Sequence, residues 1–195
     1  MIINHISKTD YSELFKEIEK RKNDFSTIIA IEGGSASGKT TLSEILKTKY
    51  NCAVFHMDDF FLRPEQRTKE RLSEAGGNVD RERFEKEVLL PLSKNENVLY
   101  KKFDCSSKTI LSPVEISKTR LCIVEGAYSM HPELQKYYSF SVFLDISPDT
   151  QKNRILKRNK PILQKRFFEE WIPMENKYFS EFDIKNKCNI VINVE

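Results

Sequence analysis

The stretch Gly33-Gly34-Ser35-Ala36-Ser37-Gly38-Lys39-Thr40 limits what this chain can fold into more than any other part of it. It fits Gly-x-x-x-x-Gly-Lys-[Ser/Thr]. In such a loop the glycines take turns that other residues resist, and successive backbone N–H groups can face phosphate oxygens. The neighbouring residues agree with it. Ahead of it, 27–31 is a short apolar run rich in β-branched residues, which predicts a buried strand. Behind it, Leu42, Ile45 and Leu46 recur at helical spacing. A helix that starts near Gly38 adds its positive N-terminal end to the loop. Lys39 offers a charge to the β- and γ-phosphates, and Thr40 a hydroxyl to a magnesium ion. Residues Gly33, Gly34, Ser35, Ala36, Ser37, Gly38, Lys39, Thr40 and Thr41 are therefore the candidate triphosphate-binding residues. A chance Gly/Ser turn would not come with a strand before it and a helix after it.

The rest of the chain alternates in the same way. Tyr11, Leu14, Phe15 and Ile18 mark a short amphipathic helix, with Asp10 and Glu13 as its capping pair. Further buried strands are predicted at 52–56, 121–124, 141–144 and 189–194. Between them, 63–78 is polar, carries Gly76-Gly77 and reads as an exposed, mobile segment. A helix is predicted over 81–90, stopped by Pro91. Residues 98–103 and 109–114 suggest a small β excursion. A charged helix follows at 148–157, and another helical region at 167–182, broken near Pro173. Strands alternating with helices predict an α/β fold, a parallel sheet flanked by helices of the P-loop NTPase type. The expected organisation is one domain over 1–195, with an N-terminal helical extension at 1–25, an acceptor-binding insertion near 63–117 and a basic lid near 154–166.

Composition narrows the class. The 195 residues are 39% apolar and 31% charged, with a formal charge of +3. So mild a charge argues against nucleic acid as a partner. No apolar run approaches a membrane span, and Asp10 and Glu13 stand where a signal peptide needs apolar residues. Cys52, Cys105, Cys122 and Cys188 are scattered without metal-ligand spacing, and Cys52, Cys122 and Cys188 read as free thiols in apolar runs. Reduced cysteines predict a cytoplasmic protein.

In such folds ligands bind beyond the carboxyl ends of the strands. Gly33, Asp58, Glu125 and Asp145 all fall at or just past predicted strand ends. Asp58 ends the strand after the loop helix, where a carboxylate can take the proton from a hydroxyl being phosphorylated. Asp59 is adjacent, so its side chain points elsewhere. Glu125 stands where such proteins hold magnesium, often through water. Asp145 is left structural. Arg154 and Arg158 share one helix face and lead into Lys157, Lys160, Lys165 and Arg166. Cations on a lid can stabilise a phosphoryl group in transit while excluding water, which makes Arg154 and Arg158 catalytic candidates along with Lys39. Phe60, Phe61, Phe103 and Tyr178 suit a core. If the substrate carries a flat base, one or two of them can stack on it, and Phe61 and Phe103 are the candidates.

Together these residues resemble a family. Gly33 to Thr41 resembles the phosphate loop of uridine kinases. Asp58-Asp59-Phe60-Phe61 resembles their Asp-Ser-Phe-Tyr, Asn78-Val79-Asp80 their Asn-Phe-Asp, and Val124-Glu125-Gly126 their Phe-Glu-Gly. The likeness keeps the order of the motifs from about Ile28 to the C-terminus, and the chain is most similar to the bacterial uridine kinase-like branch. The resemblance implies an ATP-dependent transfer to the ribose 5′-hydroxyl of a nucleoside, uridine or cytidine, with Mg2+. It implies that Asp58 is the base and that Asp80 binds the ribose 2′- and 3′-hydroxyls. The base-reading residues depart from the pattern. Pyrimidine-nucleoside kinases have Tyr-Asp-Phe with a His shortly after, where this chain has Phe103-Asp104-Cys105 and Lys108. The lid is also shorter. Asp58 to Phe61 and Trp171-Ile172-Pro173-Met174 also resemble nicotinamide riboside kinases, so that acceptor stays open.

A reading from another class is a nucleotide switch or ATPase without a small acceptor. A GTPase switch should carry Asn/Thr-Lys-x-Asp, and this chain has none. The expected partner is a small-molecule nucleoside, with neither nucleic acid nor membrane, and a homo-oligomer stays open.

Overall fold

The computed structural model describes residues 9–24 and 26–195; the first eight positions of the 1–25 extension, and Phe25, lie outside the described residues. Strand β1, Thr27–Gly33, is buried at every position. Successive side chains on a strand point to opposite faces. Ile28 and Ala30 therefore enter one core, and Ile29 and Ile31 another. A strand buried on both faces is what the apolar run 27–31 predicts. β2 (Ala53–His56), β7 (Leu121–Glu125), β8 (Phe140–Ile146) and β9 (Ile190–Val194) complete a five-stranded sheet in the order β2-β7-β1-β8-β9. Every neighbouring pair in it is parallel. The fold is α/β, as expected.

Helices cover both faces. Leu14 and Ile18 of α1 (Ser12–Arg21) and Leu42 and Leu46 of α2 (Lys39–Tyr50) pack on Ile29, Ile31, Ile123 and Val142. On the other face Phe84, Val88, Leu89 and Tyr178 close over Ile28, Ala30, Phe55 and Val124. The β excursion is two antiparallel pairs. β3 (Val98–Tyr100) lies against β6 (Val114–Ile116), and β4 (Phe103–Asp104) against β5 (Thr109–Ile110).

Four local expectations need correction. Asp10 and Glu13 do not form a reciprocal cap. Asp10 accepts the Ser12 N–H at 2.8 Å and the Ser12 hydroxyl at 3.2 Å, a local turn that leads the chain into α1. Residues 63–78 are not uniformly exposed. Thr68 caps α3 (Lys69–Ser73) by accepting the Arg71 N–H, and residues 75–78 are buried. Arg71 draws that segment inward by donating to the Gly77 and Val79 carbonyls at 3.1 and 3.0 Å.

The other two corrections share one cause. Pro91 does not stop its helix: α4 (Arg81–Phe84) continues through a π turn at Glu85–Leu89 into α5 (Leu90–Ser93). Pro173 does not break its helix either. After α6 (Pro148–Arg158), α7 (Pro161–Arg166) passes through a π turn at Phe167–Trp171 into α8 (Ile172–Glu181). A proline inside an α-helix collides with the carbonyl four residues back and lacks an N–H. A wide turn just before it relieves the collision, and in both helices the π turn ends two residues ahead of the proline. The short helix α9 (Ile184–Lys187) then leads into β9.

Candidate active site

The carboxyl ends of three strands lie side by side, with β1 running two residues past β2 and β7. Ile31 of β1 pairs with Glu125 of β7, and Glu125 pairs with His56 of β2. Residues just past these ends therefore gather on one edge, as sites in open parallel sheets do. Gly126 makes the close approach possible: its φ is +141°, and a Cβ there would lie 2.6 Å from that of Met57.

The phosphate loop leaves β1 at Gly33, where φ is +145° and an added Cβ would meet the Leu144 carbonyl oxygen at 2.6 Å. Only glycine fits there. The loop enters α2 at Gly38, with φ +98° and no side-chain cap. The first N–H groups of α2 are thus left for an anion. Lys39 Nζ donates to the Gly33 and Gly34 carbonyls at 2.8 and 2.9 Å, which folds the ammonium across the loop. The loop is also gripped from outside. Gln151 and Arg154 of α6 donate to the Ser35 and Ala36 carbonyls at 2.9 and 3.0 Å. Glu175 of α8, itself buried, accepts the Ser35 N–H at 2.9 Å.

Beneath the loop lies Glu32, fully buried in β1. It accepts the N–H groups of Gly33 and Met130, both at 2.9 Å, and the Tyr178 hydroxyl at 3.0 Å. Burial pushes its carboxyl up to about 7, against the pull of those donors and of Lys39.

Thr40 Oγ1 donates to Glu125 Oε1 at 3.1 Å, and His56 Nδ1 meets the same oxygen at 2.6 Å. The Glu125 hydrogen bond is the chief cause that raises the His56 ring, which burial opposes. A hydroxyl beside a carboxylate suits a hard divalent cation. Magnesium takes few protein ligands because it keeps waters and substrate phosphates. No set of three or more His, Cys, Asp or Glu side chains among the described residues is arranged to hold a metal by itself.

The two adjacent aspartates part company. Asp59 accepts from the Tyr100 hydroxyl at 2.8 Å and pairs with Lys102 at 2.9 Å. Asp58 remains open to solvent within a cleft crowded by protein. That crowding raises its carboxyl above the ordinary range, Lys39 opposes the rise, and Glu125, Glu175 and Asp59 add to it.

Asp80 is buried next door. Its N–H donates to the Phe60 carbonyl at 2.7 Å, and its carboxylate caps α4 by accepting the Arg83 N–H at 3.1 Å. Phe61 pairs with Val79 in a single bridge and packs on the core. Phe103 is buried at the start of β4. Beyond it, protein crowding raises the Cys105 thiol first, then Asp104, while Arg67, Asp58 and Arg166 lie close enough to act on it.

The lid candidates separate as well. Arg154 reaches the loop. Arg158 bonds Asn159 at 3.0 Å and lies over the Phe167 ring, with no contact to the loop among the described residues. Arg166 pairs with Glu170 and covers Trp171. Asp145 is engaged by Lys185 at 2.6 Å. Sequence reasoning missed Glu32, His56, Gln151 and Glu175. Glu32 carried a signal, a lone charge in an apolar strand; the other three carried none.

No protein-family model matches the chain. It is 32% identical over 143 residues to the tRNA-specific adenosine deaminase subunit tad2 of Schizosaccharomyces pombe, a match covering 69% of this chain and 34% of that protein. The chain thus spans about a third of that relative's length. It is 25% identical over 187 residues to a candidate kinase, protein 029R of Invertebrate iridescent virus 3, across 86% of this chain and 87% of the viral protein. Among solved structures, a candidate uridine kinase from Bacillus stearothermophilus superposes with TM-score 0.70 at 22% identity, covering 92% of this chain and 95% of that one. A candidate fructose transport system kinase from Silicibacter sp. TM1040 superposes with TM-score 0.73 at 19% identity, covering 93% and 98%. These likenesses show a shared fold.

Proposed function

We propose that this protein is a magnesium-dependent kinase that transfers the γ-phosphoryl group of ATP to the ribose 5′-hydroxyl of a nucleoside, uridine or cytidine. One observation carries the reading. Asp58 is a solvent-open carboxylate with a raised pKa, facing the same edge as a phosphate loop, while its neighbour Asp59 is tied down. A general base works best when its pKa approaches the working pH, and crowding moves Asp58 in that direction. The loop amides and Lys39 hold the triphosphate. Asp58 accepts the proton from the acceptor hydroxyl as the phosphoryl group moves across. Thr40 and Glu125 would hold magnesium, with His56 fixing the Glu125 carboxylate, and the ion supplies charge neutralisation on the β- and γ-oxygens when bound. Asp80 receives the ribose hydroxyls, and Phe61 and Phe103 flank the base. Arg154, already on the loop, supports the donor end, and Arg158 joins it on lid closure.

A second reading keeps the chemistry and changes the acceptor. Cys105 and Lys108 stand where pyrimidine-nucleoside kinases read the base, which favours nicotinamide riboside or another small hydroxyl compound. The fold shared with a candidate fructose transport system kinase points the same way. A panel of uridine, cytidine, nicotinamide riboside and fructose, each with ATP and magnesium, decides between them by ADP release. A ribonucleoside should stimulate release strongly. ADP release that no acceptor stimulates would instead support an ATPase or switch.

A further inference from the structure

Glu175 belongs to no step of that chemistry, yet it occupies the phosphate loop. Its carboxylate accepts the Ser35 N–H at 2.9 Å and the Ser35 hydroxyl at 2.5 Å. It is buried, and among the described residues no Lys or Arg makes an ion pair with it. Lys39 is turned instead to the Gly33 and Gly34 carbonyls. A loop built to bind anions through backbone N–H groups thus has an internal anion on one of them. Its place along the loop matters. The γ-phosphoryl must lie on the side of Asp58, because that is where the acceptor hydroxyl is deprotonated. Lys39, whose ammonium serves the β- and γ-phosphates, reaches the Gly33 and Gly34 carbonyls beside Ser35, so the occupied end is the γ end.

We propose that Glu175 is a specificity residue that competes with the γ-phosphate for Ser35 and so sets how strongly the loop prefers a triphosphate to a diphosphate. This rests on the nucleotide-binding half of the function proposed above. A carboxylate and a γ-phosphate at one N–H repel each other, whereas an α,β-diphosphate leaves that N–H to Glu175. The carboxylate stands on α8, which continues from the lid helix α7 through the π turn Phe167–Trp171. Release of Ser35 by Glu175 therefore loosens α8 from the loop.

Glu175→Gln tests this, since it keeps a neutral acceptor oxygen for Ser35 and removes the charge. Calorimetry with magnesium should show ATP binding tightened about tenfold and ADP changed by less than about threefold. Unchanged or weaker ATP binding in a folded variant, or equal tightening of both nucleotides, overturns the proposal. Hydrogen exchange on the wild-type chain gives a second measurement that needs no variant. A non-hydrolysable ATP analogue should lower the protection of α8 amides relative to ADP, and identical protection overturns the proposal. A chain that binds neither nucleotide would instead remove the kinase reading itself.

Discussion

Asp58 and Asp59 are the same residue type at adjacent positions, and their surroundings give them different work. Asp59 has a tyrosine hydroxyl and a lysine on it, so its lone pairs are engaged. Asp58 has its proton-accepting capacity free and a carboxyl raised by crowding. Asp58→Asn should leave ATP binding nearly intact and lower turnover by about a hundredfold or more; normal turnover would remove its role as base. Glu32 gives a second test, this one of stability. Its folded pKa of about 7 stands above the usual 4.5, so between those values the folded chain holds a proton that the unfolded chain has lost. The stabilisation is complete below the unfolded value and lost as pH rises through the folded one, a swing of about 3 kcal/mol. Glu32→Gln has no such proton to lose. Its stability relative to the parent should rise between pH 5 and pH 8, read from urea midpoints, and parallel curves would show that Glu32 is ionised throughout. Asp58 was legible in the sequence because it follows a strand in a loop-bearing chain. His56 and Glu175 were not, because each acts through a partner far away in the chain, Glu125 and Ser35 respectively, and no local pattern records such a meeting.

Elements built on short-range spacing were read well, and those that depend on tertiary contacts were not. The run 27–31 gave β1, and the loop's glycines gave the entry to α2, because backbone rules act over a few residues. The prolines misled, since the rule that a proline ends a helix assumes that every turn of the helix is an ordinary α turn. Here a π turn precedes both Pro91 and Pro173, and the helices run on. The second of these continuous helices is what delivers Glu175 and Tyr178 to the loop and to Glu32. Residues 63–78 misled in a similar way. Their polarity suggests exposure, but Arg71 spends its guanidinium on the buried turn 77–79 and on Glu82. Asp80 sits at the end of that turn, where it caps α4 and pairs with Arg83 at 3.5 Å, and substitution can separate the cap from the ribose contact proposed for it. Asparagine caps a helix about as well as aspartate, whereas alanine gives up about 1 kcal/mol. Asp80→Asn should therefore keep the helix cap but lose the buried pairing with Arg83, while raising KM for the acceptor about tenfold, because the charged acceptor proposed for the ribose hydroxyls is lost. Asp80→Ala should lose both. An unchanged KM in the asparagine variant would leave Asp80 as a helix cap only.

Across the whole molecule, the sheet divides stability from chemistry by its two ends. The phosphate loop, Asp58 and Glu125 stand at or past the carboxyl ends of β1, β2 and β7. α1 meets the sheet at the other end. Thr27, the first residue of β1, donates its hydroxyl to the Arg21 carbonyl, and Arg21 lies over the ring of Phe140, the first residue of β8. The helix contributes Leu14 and Ile18, both fully buried, to the core beneath α2, and it adds no group to the site edge. Its amphipathic spacing was legible, but what it covers was not, because the apolar stripe of a helix does not say which face of a sheet receives it. Truncating a buried leucine removes transfer energy and leaves a cavity, together about 2–5 kcal/mol. Leu14→Ala should therefore lower the unfolding free energy by that amount, read from urea unfolding, while KM for ATP and for the acceptor stay as they are, measured well below the new midpoint. A shift in either KM at full folding would show that α1 reaches the site through the sheet, and that the two ends of the strands are coupled.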